Sequence, residues 1–316
     1  MRGIAMAIKD RTFDWDRDFE LVRQFLIETH KIQPLLNWIP TRFENRKFGP
    51  CGPVYEDDEN RFVRIWEDTR KSKSALTPIV GVGIFSPPSE GYVNIHPQYR
   101  NIERDIISWL EAQAIQSGNG TSNAGELGFF VREDNGHLIT LLEGLGYQNK
   151  GLYSHDRVRP LDYPIPEFEV PDGMEIRSVD IVDELDKYRA AQGSVFKHCL
   201  SMTIDNARIF KSASFYNPNL DIAVVTEDGD FAAFCTIRVD PVSGITEFEP
   251  VGTHPDYRKR GLAKILIADG LRRAEDQDIS FMCVPGANPT EAASRLYGTM
   301  GFELTAREYH WSKTLA

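Results

Sequence analysis

Two near-copies of one short peptide lie half a chain apart. HPQYR fills residues 96–100 and HPDYR residues 254–258, 158 positions apart in a chain of 316 residues. Self-similarity at half length constrains the fold before any other feature does. The period is too long for a solenoid. It fits two domains of ordinary size, each able to bury its own core. Beyond the stem the copies diverge. The second continues KRGLA, with Gly261 and Ala263; the first continues NIERD, with Glu103 and Asp105 at the matching places.

The stretch RVRPLDYPIPEFEVPDG, residues 157–173, holds four prolines. Proline fixes φ and removes a backbone donor, so an extended linker is expected here. The expected division is a first domain over 1–157, a linker over 158–172 and a second domain over 173–316. The halves read alike. In each, a helix precedes strands that lead to the stem. After it come a helix, a strand, a second helix and a final strand. In the first half Ile102, Ile106, Trp109 and Leu110 mark one helix face. In the second, a hairpin turn is expected around Asp228–Gly229–Asp230. The expected order in each half is β-α-β-β-β-α-β-α-β. That is an α/β (α+β) fold on a mixed sheet, mostly antiparallel with one parallel pair.

The bulk properties narrow the function. No run of 18 apolar residues occurs, so no membrane span is expected. The first twenty residues lack a signal-peptide core. A formal net charge of −11 argues against a nucleic-acid partner. Cys51, Cys199, Cys235 and Cys283 are scattered, without a C-x-x-C pair. Reduced thiols in a cytoplasmic protein are expected, with no disulfide framework and no metal site.

EPVGTHPDYRKRGLAKIL carries the chemistry. A strand ends near Val251 and a helix starts near Lys259. The first turn of a helix leaves backbone N–H groups without intrahelical partners, and with the helix dipole these attract anions. Gly261 lets a phosphate approach the backbone, and Ala263 is the next smallest choice. Arg258, Lys259, Arg260 and Lys264 add positive charge. The turn suits a pyrophosphate.

VGTHPDYRKRGLA resembles the acetyl-CoA signature R/Q-x-x-G-x-G/A of the GNAT superfamily of N-acetyltransferases, and LYGTMGF, residues 296–302, resembles its L-Y-x-x-x-G-F signature. HPQYR and GLGY mark the first half as a degenerate copy. The chain thus resembles two tandem GNAT-like acyl-CoA N-acyltransferase domains, the second catalytic.

The resemblance implies acetyl-CoA as cosubstrate, no metal, and direct attack by an amine on the thioester. The amine's proton needs a base, the carbonyl oxygen needs N–H donors, and the thiolate gains from a proton donor. Tyr297 is the expected donor. Glu247 and Glu249, on one strand parity, are the expected bases, with His198 and His254 as alternatives. The cofactor-binding set is Val251, Gly252, Thr253, Arg258, Lys259, Arg260, Gly261, Leu262, Ala263, Lys264, Asn288 and Tyr297. Pro250 fits the broken strand pairing that lets the pantetheine arm meet the amides of Val251 and Thr253. One departure is Thr290, where relatives often carry asparagine seven residues before the tyrosine. The first copy keeps Asn135 at that spacing from Leu142.

Glu103 and Asp105 explain the divergent stem. At about 4 Å and an effective dielectric near 20, each repels a phosphate by roughly 4 kcal/mol, enough to abolish a micromolar site. With Gly146–Tyr147 matched to Gly301–Phe302, Leu142 stands opposite Tyr297. The first copy is expected to fold without binding acetyl-CoA. The expected acceptor is a small-molecule amine, with no nucleic acid and no membrane as partner. Alternatives are a non-catalytic acyl-CoA sensor or scaffold, a protein-modifying acetyltransferase, or an enzyme like the tandem GNAT that makes mycothiol.

Overall fold

The computed structural model describes residues 8–49, 59–71, 77–118, 125–196 and 202–315. Cys51, Cys199 and His198 lie outside them. Both halves build one order of elements. The first runs β1 (Ile8–Thr12), α1 (Trp15–Ile32), α2 (Pro40–Phe48), β2 (Val63–Asp68), β3 (Ile79–Ser86), β4 (Glu90–Ile95), α3 (Glu103–Gly118), β5 (Glu126–Arg132), α4 (Gly136–Gly144) and β6 (Gln148–Val158). The second runs β7 (Met174–Ser178), α5 (Leu185–Phe196), α6 (Ile204–Lys211), β8 (Asp221–Thr226), β9 (Phe231–Val239), β10 (Ile245–Thr253), α7 (Leu262–Ala274), β11 (Phe281–Ala287), α8 (Glu291–Thr299) and β12 (Glu303–Thr314).

Each half therefore has one helix more than its expected order. The signals for α2 and α6 are local caps. α2 starts at Pro40, whose missing N–H costs nothing in a first turn. α6 starts with a capping box, in which Thr203 Oγ1 accepts from Asn206 N at 3.2 Å and Asn206 Oδ1 accepts from Thr203 N at 2.9 Å.

The chain forms two compact units, and neither is a contiguous half. Among the described residues, the first unit takes those within 8–40, 59–154 and 306–315; the second takes 41–49 and those within 155–305. The first sheet runs β1-β2-β3-β4-β5-β12, antiparallel except for the parallel β4–β5 pair. The second runs β7-β8-β9-β10-β11-β6, antiparallel except for β10–β11. β12 lies along β5, from Glu308 opposite Arg132 to Thr314 opposite Glu126. β6 lies along β11, with Val158 opposite Cys283. The halves thus exchange their last strands, whereas each half was expected to keep its own. Alternation within a strand fixes which residues share a face, not which strand lies alongside. Trp311 of β12 is buried in the first unit's core, with Ile106, Leu110 and Phe129.

Both faces of the second sheet are covered. Ile222 and Val224 point into the core under α7 and α8, while Ala223 and Val225 point into the one under α5 and α6. The proline-rich stretch is extended, as its composition requires, but it is not loose. Arg159 Nε donates to Met300 O at 3.0 Å, and its Nη2 to Tyr163 O at 2.6 Å. Ile165 and Phe168 pack on the second unit's core.

A turn sets the start of β10. Gly244 has φ +69°, and a Cβ there would lie 2.3 Å from Asp278 O. Its own carbonyl accepts from Ser280 N at 3.0 Å, which brings the chain into β11. Deeper in the unit, Asp221 is buried. Thr236 Oγ1 donates to it at 2.9 Å and Tyr216 Oη at 3.2 Å. Burial pushes its carboxyl up to about 7, against the pull of those hydroxyls and Arg238.

Gly244→Ala forces a left-handed alanine against backbone, at a cost of about 2 kcal/mol or more. Calorimetry should show a melting midpoint lower by roughly 4–8 °C. Asp221 holds a proton in the folded chain that the unfolded chain, titrating near 4, has released. Its contribution to stability is fully present below about pH 4 and is lost as pH rises through about 7. Asp221→Asn should flatten the pH dependence of the midpoint over that interval.

Candidate active site

β10 pairs with β11 over three residues and then leaves it. Ile245, Thr246 and Glu247 face Phe281, Met282 and Cys283, and among the described residues the pairing stops there. On its other side β10 bulges. Phe248 faces Ile237 and Val251 faces Cys235, so Glu249 and Pro250 stand against Thr236 alone. The bulge falls where Pro250 has no N–H to give, in a cis peptide with Glu249. Past it the antiparallel alternation resumes. Gly252 faces Phe234, and His254 N donates to Ala232 O at 3.0 Å. The N–H groups of Val251 and Thr253 therefore turn away from β9, to the side β11 has left. Gly252 is buried under the Phe234 ring, where a Cβ would lie 2.3 Å from Cζ.

The strand edge leads into the turn. His254 Nδ1 accepts from Asp256 N at 3.3 Å, so this histidine caps the short helical turn Pro255–Tyr257. That contact gives it a structural role at the turn. Lys259 and Gly261 both have left-handed backbone, with φ +65° and +79°. For lysine this conformation costs about 1–2 kcal/mol. Gly261 is the N-cap of α7, and no side chain bonds to that cap. Around Gly261 a Cβ would meet no protein atom within 4 Å, so glycine is needed there for its conformation, and the space outside is open. Leu262 is buried and anchors the helix start; Ala263 and Lys264 are partly exposed.

The charge at this turn is unspent. Arg258, Lys259 and Arg260 are exposed, and among the described residues none of them, nor Lys264, is in an ion pair. Arg258 Nε donates to Thr253 O at 3.3 Å, and Arg260 lies over the Tyr257 ring at 5.3 Å. Beside them a groove of about 320 Å³ is lined by Lys264, Glu291, Ala292, Arg295 and Leu296. Asn288 is exposed, and its Oδ1 accepts from Thr290 N at 3.1 Å. Thr290 caps α8 through Ala293 N, and Asn135 caps α4 through Leu138 N. The threonine and the asparagine thus do the same local work.

The two acidic residues of β10 part company. Glu247 is 2 % exposed and tied down. Thr41 Oγ1 of α2 donates to its Oε1 at 2.7 Å, and Arg238 Nη1 lies 3.5 Å from the same oxygen. Arg238 is itself buried, with Phe215 packed on its guanidinium at 5.2 Å. Glu249 is solvent-accessible, but protein crowds it on most sides, as in a recess. That crowding, with Glu247 nearby, pushes its carboxyl up against the pull of Arg238 and Arg42. Tyr297 is 8 % exposed and packs edge-on to Phe302. Burial raises its phenol well above the ordinary value; Cys235 and Glu249 add to this and Arg157 opposes it. The phenol is therefore a neutral donor at physiological pH, within the electrostatic reach of a carboxylate. Thr41, Arg42 and Arg238 escaped the sequence reading. α2 lies some two hundred positions from β10, and no spacing rule reaches that far.

In the first unit the matching turn has another form. Pro97–Ile102 is a 3-10 helix that runs directly into α3, and Glu103 has ordinary helical backbone with φ −56°. Asp105 is exposed. Glu103 is fully buried and turned inward, 2.6 Å from Arg100 Nη1 and 2.5 Å from His137 Nδ1. It was expected to put a negative charge where a phosphate would lie; it is a paired internal one.

Comparison with known proteins agrees with this geometry. Residues 189–302 match the model of the Acetyltransferase (GNAT) family. The mycothiol acetyltransferase of Paenarthrobacter aurescens is 23% identical over 66% of this chain and 65% of its own length. That of Nocardiopsis dassonvillei is 24% identical over 78% of this chain and 79% of its own. The match to the first spans just under two thirds of that relative. Among solved structures, a GCN5-related N-acetyltransferase from Sphaerobacter thermophilus aligns with a TM-score of 0.67 at 16% identity, covering 98% of this chain and 96% of that one. A tandem GNAT protein from the clavulanic acid biosynthesis pathway aligns at 0.68 and 13%, covering 97% and 98%. Residues 189–302 thus form an acetyltransferase domain of the GNAT family, in a chain that has the fold of a tandem GNAT protein over nearly its whole length.

Proposed function

We propose that this acetyltransferase moves an acetyl group from acetyl-CoA to the amine of a small molecule, using the second unit alone. The observation that carries the reading is the sequence of three features along one stretch of chain. An open strand edge at Val251 and Thr253 leads to a left-handed turn with four cations outside any ion pair among the described residues, and the Tyr297 phenol lies within the electrostatic reach of Glu249. The turn from Arg258 to Lys264 holds the pyrophosphate. The amides of Val251 and Thr253 hold the pantetheine arm and polarise the acetyl carbonyl. Acetyl-CoA supplies the thioester. Glu249 removes the amine's proton, and Tyr297 returns one to the sulfur that leaves. Glu247 takes neither part. Held by Thr41 and Arg238, it is a positioning residue that raises the basicity of Glu249. Asn288, engaged with Thr290 N, lines the approach rather than gripping the arm.

The names of the relatives favour one acceptor class. Four curated relatives are mycothiol acetyltransferases, so an amine on a thiol-bearing precursor of mycothiol is the acceptor to try first. Among the described residues no helix is long and apolar enough to cross a membrane.

Calorimetric titration of acetyl-CoA tests the donor site. Wild type should bind one equivalent and Gly261→Glu at least about 100-fold less; no binding to wild type would overturn the reading. Tyr297→Phe should lower kcat by about 10²-fold with KM nearly unchanged. Because Glu249 is held above the ordinary carboxylate range, kcat/KM should fall as pH drops through its raised value. That acid limb should disappear in Glu249→Gln, and an unchanged limb would assign the base elsewhere.

A further inference from the structure

We propose that the first unit is filled by its own side chains, with Asn37 and Glu103 standing in the places an acyl-CoA would take. That the ligand is an acyl-CoA rests on the function proposed above; that the two places are filled does not.

The two units share three hydrogen bonds that flank the turn, although the turn itself differs in backbone form. His96 N donates to Val80 O at 2.9 Å, as His254 N donates to Ala232 O at 3.0 Å. His96 Nδ1 accepts from Gln98 N at 3.2 Å, as His254 Nδ1 accepts from Asp256 N at 3.3 Å. Tyr147 N donates to Leu142 O at 3.0 Å, as Phe302 N donates to Tyr297 O at 2.9 Å. Ile95 is therefore the counterpart of Thr253, and Glu103 that of Gly261, on helical rather than left-handed backbone.

At the first place, β4 pairs in parallel with β5 only at Glu90 and Gly91, among the described residues. Its far end is taken up by a side chain. Ile95 N donates to Asn37 Oδ1 at 2.9 Å, and Asn37 Nδ2 donates to Ile95 O at 2.9 Å. One carboxamide thus gives the strand edge both the acceptor and the donor that an amide of a pantetheine arm would give. Asn94 Oδ1 accepts from Trp38 N at 2.8 Å and holds the segment in place.

At the second place, a carboxylate takes the role of a phosphate. Glu103 is fully buried between Arg100 and His137, and Arg100 Nη1 also donates to Asn135 Oδ1 at 3.1 Å. Arg100 is the counterpart of Arg258, which is exposed and outside any ion pair among the described residues of the second unit. Burying a carboxylate is costly unless it is paired and hydrogen-bonded, and here Arg100 pairs with it and His137 shares a hydrogen bond with it. The arginine that faces outward in one copy is saturated from within in the other.

Acetyl-CoA titrated into wild type, Asn37→Ala/Glu103→Gly, and that double variant carrying Gly261→Glu should bind with one, two and one equivalents. Glu103→Ala should melt several degrees below wild type. Millimolar inorganic pyrophosphate should restore much of that loss, and should restore none in Arg100→Ala/Glu103→Ala. Two equivalents on wild type would overturn the proposal. So would one equivalent on a double variant that keeps its far-ultraviolet circular dichroism, or a Glu103→Ala midpoint indifferent to pyrophosphate. If the glycine variant fails to fold, the pyrophosphate shift on Glu103→Ala decides the matter. Failure of wild type to bind acetyl-CoA, with the pyrophosphate shift intact, would remove the proposed function and leave the filled unit standing.

Discussion

The candidate site depends on β10 parting from β11 after Glu247. Parallel strands normally pair to the end, because every unpaired backbone group withdrawn from water costs free energy. Here a proline lies just past the parting point, and the bulge against β9 absorbs the extra residue. The parting leaves Val251 and Thr253 with amides to offer, and it aims the chain at the turn that begins α7. Gly244 works from the other end by fixing the start of the pair on the backbone that feeds β11. One pinned end and one free end give a rigid strand with an available edge.

Around that edge the unit separates two kinds of carboxylate. Glu247 is satisfied by Thr41 and Arg238, so its charge is part of the scaffold. Glu249, two residues on, keeps access to solvent and inherits the field of its neighbour. Crowding and like charge both disfavour its ionised form, which suits the proton-accepting role proposed for it. In the proposed reaction Tyr297, raised by burial, is the complementary donor. The contrast within one strand comes from what α2 and β9 place against each side chain.

Much of this was legible in the residues, and the rest was not, for definite reasons. The half-length repeat, the parallel pair, the glycine turn and the tyrosine helix are local patterns, set by backbone conformation over a few positions. The exchange of last strands is not local. Nothing in the alternation of GLYSHDRV or AREYHWSK states which sheet edge it will meet. The reach of Thr41 to Glu247 is hidden for the same reason. Glu103 shows a subtler limit. Its charge could be read, and so could its clash with a phosphate, but not that it turns inward to Arg100 and His137. A charged residue at a turn is exposed by default, and only tertiary partners reverse that.

The strand exchange also sets an order in time. Arg307 meets Glu133 across 174 positions of chain, so β5 has no outer neighbour until β12 has been made. At roughly 5–20 residues per second on a ribosome, that interval is about nine to thirty-five seconds. For that long the first unit is a sheet with a bare edge, the arrangement most prone to pair with a stranger. The second unit meets no such wait, since β6 precedes β11 and is ready when β11 emerges. A duplicated fold that looks symmetric when finished is therefore born unevenly, and its earlier-made part is the more exposed to chaperones and to misassembly.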